Sequence, residues 1–128
     1  MIGDQIGKAS ALKMCYAAYT KGTTALLTAI LALAQANGVR TELSAQWERD
    51  ENGFSAQAEN RARRVTAKAW RFAGEMDEIA STFEAAGLPG GFHVAAGDIY
   101  RRLSDFKEAK ELPGLEEVIR ALLADIEL

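Results

Sequence analysis

The run GTTALLTAILALAQANG, residues 22–38, carries no charged side chain and decides the fold class. Its Thr23, Thr24, Thr28, Gln35 and Asn37 leave it too short and too polar to cross roughly 30 Å of hydrocarbon, so it reads as part of a buried helix. Upstream of it, nothing back to Lys8 breaks a helix except Gly22, and Gly38 supplies the left-handed stop that helix C-termini favour. The spacing therefore predicts helix 1 from about Lys8 to Asn37. Leu12, Tyr16, Tyr19, Thr23, Leu26, Ile30 and Leu33 recur at alternating steps of four and three, one continuous stripe, with Leu27, Leu31 and the alanines on the other sides. A helix of roughly thirty residues that is apolar nearly all round needs cover on several sides. A 128-residue monomer can barely supply it, so a homodimer is expected.

Downstream, Thr41 or Ser44 is the expected cap of a short segment through Trp47, and Asp50 to Gly53 reads as a turn. Helix 3 is expected from Ser55 to Ala86 with Gly87 as its stop, a bend at Gly74, and Val65, Ala69, Phe72, Met76, Ile79 and Phe83 as its core stripe. Leu88-Pro89-Gly90-Gly91 is a turn. A fourth helix follows over 92–106 with Val94, Ala95, Ile99 and Leu103 inward, then a polar connection over 107–114. A fifth helix over 115–128 turns Leu115, Val118, Ile119, Leu122 and Ile126 inward. Repeats and low-complexity tracts are absent. The expected fold class is all-α: about five helices, with a long central helix 1 and a long helix 3, in a single domain over residues 1–128.

Composition agrees. Two prolines and a hydrophobic share of 48% that is rich in Ala and Leu favour helix over sheet. Fifteen basic against eighteen acidic side chains give a net charge of -3, without the uniform positive field that holds a phosphate backbone. Nucleic acid and membrane are not expected partners. The lone Cys15 can close no internal bridge, and with one His it makes no four-ligand zinc site, so no metal is expected. The first seven residues lack a signal-peptide pattern, and a reducing cytoplasm fits best.

Among residues that could carry chemistry, Lys13 stands out as the only charge between Ala9 and Thr20, on a face of small groups made by Ala9, Ser10, Ala17, Thr20 and Thr24. Small neighbours leave room for a ligand, and an ammonium in a low-dielectric cleft can hold an oxyanion or pass a proton to a carbonyl. Spacing alone favours the plainer reading of a lysine snorkelling past the first turns of a long helix. Helix 3 carries Arg61, Arg64, Lys68 and Arg71 and then Glu75 and Glu78, an order that opposes the helix dipole. An outside partner, either a second subunit or a cofactor phosphate, would explain that order; a solvated face eased by an Arg71–Glu75 contact is the favoured reading. His93 follows two glycines at a helix start and reads either as a cleft residue or, preferably, as a packed structural histidine. Trp47 and Trp70 read as packing or interface anchors.

Four separated blocks then agree in order with one family. GKASALKM at 7–14 resembles the start of the C-terminal domain in the 6-phosphogluconate dehydrogenase and β-hydroxyacid dehydrogenase superfamily. SALKMCYAA at 10–18, TKG at 20–22, GEMDEIA at 74–80 and GLPGGFH at 87–93 are similar to a branch of NAD-binding phosphogluconate dehydrogenase-like proteins of unknown substrate. The resemblance spans roughly Gly3 to Lys107. It implies that Lys13 is the catalytic lysine, donating a proton to a carbonyl in the reductive direction or accepting one from an alcohol in the oxidative direction. Where better-known members place an asparagine four residues later, this chain has Ala17, and Tyr16 is the expected substitute. Where they place a Lys-Asp pair on a later helix, it has Asp77-Glu78. A positive charge has become negative there, which weakens the case for an anionic substrate and opens neutral or cationic ones, as in relatives that reduce imines.

Ser10, Tyr16, Ala17, Asp77, Glu78 and His93 are thus the candidate substrate-binding residues beside Lys13. The resemblance implies a small-molecule hydroxy acid or related carbonyl or imine substrate, with NAD or NADP held by an N-terminal Rossmann domain. No glycine fingerprint, ribose-binding acid or parallel-sheet pattern for such a domain lies in these residues, so the chain alone is expected to hold no cofactor and to be inactive. The alternative is a standalone helical dimerisation module without chemistry. In that case Lys13 is solvated or buried without partners, whereas an enzyme half holds it in an open cleft with polar company.

Overall fold

Six α-helices and no strand make up the described residues of a computed structural model, whose backbone is described over 2–124 and whose side chains over 7–124. The helices are α1 (Ile2–Ala36), α2 (Arg40–Asp50), α3 (Phe54–Arg64), α4 (Ala69–Ala85), α5 (Gly91–Arg102) and α6 (Leu115–Leu123). Short 3-10 turns at Val65–Ala67 and Ser104–Glu108 join them. The fold is all-α, as the sequence implies. The three glycines with positive φ, Gly38 (+69), Gly53 (+84) and Gly87 (+85), sit at the breaks expected of them, because only a residue without Cβ takes that conformation cheaply.

The expected helix 3 is two helices. Gly74 lies inside an unbroken α4, and the break falls at residues 65–68, where Lys68 leaves helical geometry at φ -120, ψ 3. Nothing local forces it. Buried Thr66 donates its hydroxyl proton to the Arg63 carbonyl at 2.6 Å, and Arg63 Nε reaches the Pro113 carbonyl at 2.8 Å, so packing against the chain ahead of α6 turns the backbone. Neither Thr41 nor Ser44 caps α2, whose N-cap is Val39 without a side-chain bond; the Ser44 hydroxyl instead meets that of Ser55 at 2.6 Å.

Met76, Ile79, Tyr100, Leu103, Val118, Ile119 and Leu122 form the centre of the core, with Ala25, Leu31, Ala32, Ala62, Ala69 and Phe72 around it. Phe72 and Tyr100 meet edge to face at 5.6 Å, a favoured aromatic geometry. In α5 the inward set is His93, Ala96, Gly97 and Tyr100, followed by Leu103, while Val94 and Ala95 face outward and Ile99 is half-buried. The α6 stripe is as expected through Leu122, and Ile126 lies outside the described residues.

The stripe read on α1 is the face that this chain leaves open: Leu12, Tyr16, Tyr19, Leu26 and Leu33 are exposed, and Thr23 and Ile30 are half-buried. The inward face is made by Thr24, Ala25, Thr28, Leu31, Ala32 and Ala34, small or slender groups that let α3, α4, α5 and α6 approach the helix axis. By length and composition alone, Gly7–Ala36 is apolar enough to span a bilayer. Its inward face packs inside the bundle, while its other face is exposed.

Candidate functional site

Lys13 stands on the N-terminal part of α1, where residues 7–13 are all exposed, and it lines neither of the two cavities described below. Ser10 is exposed one turn before it, Tyr16 is exposed after it, and Ala17 is half-buried against the edge of the core. These four share one segment of α1. The other candidates lie elsewhere. Asp77 on α4 forms an ion pair with Arg101 of α5, which offsets the negative charge expected there, and Glu78 is exposed.

His93 sits on the opposite side of α1. At 3.6 residues per turn, Ala18 and Gly22 lie about 140° and 180° around the helix from Lys13, and His93 packs on both. Its Nε2 is 3.0 Å from the Ala18 carbonyl, which can only accept, so Nε2 carries the proton and donates it. Nδ1 is buried without a hydrogen-bond partner among the described residues. The ring stacks on Phe83 at 5.0 Å, and a Cβ at Gly22 would stand 2.8 Å from Nε2, so a glycine is required beneath it. The packing reading of His93 describes this geometry; a cleft shared with Lys13 does not.

Two cavities flank α1. One, of about 870 Å³, is an apolar groove against α5, lined among others by Tyr19, Gly22, Leu26, Phe92, His93 and Ile99. The other, of about 590 Å³, lies between the end of α1, α2 and α3 and is lined by Gln35, Arg40, Trp47, Ser55 and Glu59. Trp47 meets Phe54 edge to face there, while Trp70 is exposed under the Lys107 ammonium at 4.6 Å.

Of the charges ordered along α3 and α4, Arg64, Lys68, Arg71 and Glu78 are exposed, the solvated face expected of them, while Arg61 and Glu75 are half-buried. Lys21 of α1 pairs with Glu75 at 2.5 Å and lies 4.2 Å over the Phe72 ring, and Arg71 reaches the same carboxylate at 3.8 Å, the expected one-turn contact. Arg61 turns onto α1 instead of outward. Its Nε and Nη2 donate to the Thr24 hydroxyl at 3.1 and 2.6 Å, and Nη2 also donates to the Thr23 hydroxyl at 2.9 Å and the Thr20 carbonyl at 3.3 Å. Tyr100, behind them, donates to the Lys21 carbonyl; burial pushes its hydroxyl far above the ordinary phenol range, against the opposing pull of the Arg61 charge. Sequence reasoning missed this cluster because Thr20 and Thr24 read as small groups around Lys13 and Thr23 as part of the apolar stripe. Their spacing, Thr20, Thr23 and Thr24 on adjacent turns, was the available signal.

No curated protein and no solved structure matches the chain. A family model does, from the end of α1 to Leu103, leaving Lys13 and the exposed turns around it outside the matched stretch. That match, over residues 34–103, takes in more than half of the chain, which belongs to the family described as a domain of unknown function, DUF1932.

Proposed function

We propose that this chain is the helical substrate-binding and dimerisation domain of an NAD(P)-dependent oxidoreductase acting on a hydroxy acid or a related carbonyl or imine compound. The family is associated with NAD-binding dehydrogenases as their C-terminal helical domain. The observation that carries the reading is the free half of α1. From Gly7 to Tyr16 the helix runs about 15 Å with Leu12, Tyr16 and Lys13 exposed. Helices hold in water mainly through packing of an apolar face, so such a segment calls for cover by another domain, another subunit or both. A second copy across the Leu12–Leu33 stripe, and a dinucleotide-binding domain near Lys13, would supply it.

Among the described residues no strand leads through a glycine turn into a helix. Hydride chemistry would therefore belong to a nicotinamide held by that other domain. What this chain would contribute is the proton. The Lys13 ammonium would donate to the substrate oxygen or nitrogen as the carbonyl or imine is reduced, and the neutral amine would accept it back in the oxidative direction. Ser10, Tyr16 and Ala17 line the same turns, with Ala17 leaving space one turn on.

A second reading, a helical dimerisation module without chemistry, is favoured by one observation: Lys13 has no hydrogen-bond or ion-pair partner among the described residues. The deciding experiment fuses the chain to a Rossmann domain and follows nicotinamide absorbance with hydroxy acids, carbonyls and imines. Under the dehydrogenase reading Lys13→Ala lowers kcat by about a hundredfold or more with KM little changed. Turnover that survives Lys13→Ala leaves the dimerisation module as the better account.

A further inference from the structure

Arg61 is half-buried and pairs with no carboxylate among the described residues. The acceptors on it among the described residues are neutral. The Thr23 hydroxyl gives its single proton to the Tyr19 carbonyl at 2.5 Å, and the Thr24 hydroxyl gives its own to the Thr20 carbonyl at 2.8 Å. Both oxygens thus have only lone pairs left to face Arg61, and they cannot rotate to do otherwise without breaking those bonds. Nε and Nη2 are held in this cradle by four contacts. Nη1 takes no part in it, has no hydrogen-bond partner among the described residues and is not fully buried. The nearby carboxylate of Glu75 is shared by Lys21 and Arg71 and not by Arg61.

A guanidinium drawn out of water onto neutral oxygens loses hydration without gaining a counter-charge, and its planar fork matches carboxylate and phosphate oxygens. We infer that the free Nη1 edge of Arg61, fixed by Thr20, Thr23 and Thr24, is a binding site for one oxyanion group, a carboxylate or a phosphate, of a small-molecule ligand. Thr20 and Thr24 lie seven and eleven residues after Lys13, within about 20° of it around the helix and about 10 and 16 Å along it. A ligand engaging both Arg61 and Lys13 would carry its acid several bonds away from its reacting carbon. That link to Lys13 rests on the dehydrogenase reading; the anion site does not.

The test titrates inorganic phosphate, and separately acetate, into the 15N-labelled chain at constant ionic strength and follows the Arg61 Nε–Hε resonance. Saturable movement of that resonance is expected. Stronger response to phosphate identifies a phosphoryl group, and stronger response to acetate a carboxylate. Arg61→Gln should weaken binding about tenfold or more, Arg61→Lys should restore part of it, and Thr23→Val with Thr24→Val should weaken it while leaving the charge in place. No saturable movement in the unaltered chain with either anion would overturn the site, whether or not the variants fold, and so would binding that persists in Arg61→Gln. Lys13→Ala leaves phosphate binding intact, so a failure of the dehydrogenase reading in the fusion enzyme is distinguishable from a failure here.

Discussion

The two ends of α1 are the same helix in opposite surroundings. Between Thr24 and Ala34 it turns Ala25, Thr28, Leu31 and Ala32 into the bundle, each no more than a few per cent exposed, while Leu12, Tyr16 and Tyr19 near the other end are 71%, 71% and 72% exposed. The larger apolar groups are therefore on the open side and the smaller ones on the closed side. Close approach of four neighbouring helices needs slender side chains at the contact, whereas Leu and Tyr carry the apolar area that drives association between molecules. Periodicity finds both faces and cannot tell which of them the chain covers with its own residues.

The covered end should be the expensive one to disturb. Leu103→Ala removes a side chain with no exposure from the core and should cost about 2–5 kcal/mol in denaturant unfolding. A cost below about 1 kcal/mol would show a looser core than the packing describes. At the junction of the two ends, Gly22→Ala places a methyl group 2.8 Å from His93 Nε2 and should cost about 1–3 kcal/mol. Adding His93→Ala should recover part of that loss, and strict additivity would mean that the two residues do not meet.

Alkali offers a graded test of the covered end. Burial raises the Tyr100 pKa above its ordinary value of 10.0, so the native state keeps this proton at pH values where the unfolded state has lost it. The stabilisation is complete below pH 10 and declines as pH rises from there toward the native-state pKa, by up to about 1.4 kcal/mol per pH unit. Tyr100→Phe should remove this share of the alkaline slope. An unchanged slope would show that Tyr100 ionises as readily folded as unfolded.

The smallest effect on folding is expected at the open end. Leu12→Ser with Tyr16→Ser should change the stability of the monomer by no more than about 0.5 kcal/mol, yet abolish self-association in light scattering during gel filtration. A chain already monomeric before substitution would remove the second copy from the proposal and leave only another domain to cover α1. A large loss of monomer stability would instead show that these side chains pack at home.

How much was legible varies with how local the cause is. Gly38 and Gly87 follow the ends of their helices and Gly53 precedes the start of α3, because left-handed geometry is a property of the residue itself. Val118, Ile119 and Leu122 were readable because α6 has one apolar face and a strongly polar other side. In α5 the same method chose Val94 and Ala95 and missed Tyr100, since a polar atom on a buried ring becomes acceptable only when a partner such as the Lys21 carbonyl is in reach. The candidate site divides in the same way. Lys13, Ser10, Tyr16 and Ala17 share a segment by helical spacing alone, while the inward turn of Arg61, the pairing of Asp77 with Arg101 and the distance of His93 from Lys13 depend on which helices meet.

The sequence by itself determined that the chain is helical, where α1 and α4 end, and that α1 is apolar nearly all round, because propensity, glycine geometry and side-chain area are properties of residues and their near neighbours. Only the tertiary structure decided which face of α1 is inside, that the long third helix breaks at residues 65–68, and that Arg61 rests on threonines with one edge free. Those outcomes depend on contacts between residues tens of positions apart, where the fit of one helix against another, more than the hydrophobicity of either, selects the arrangement.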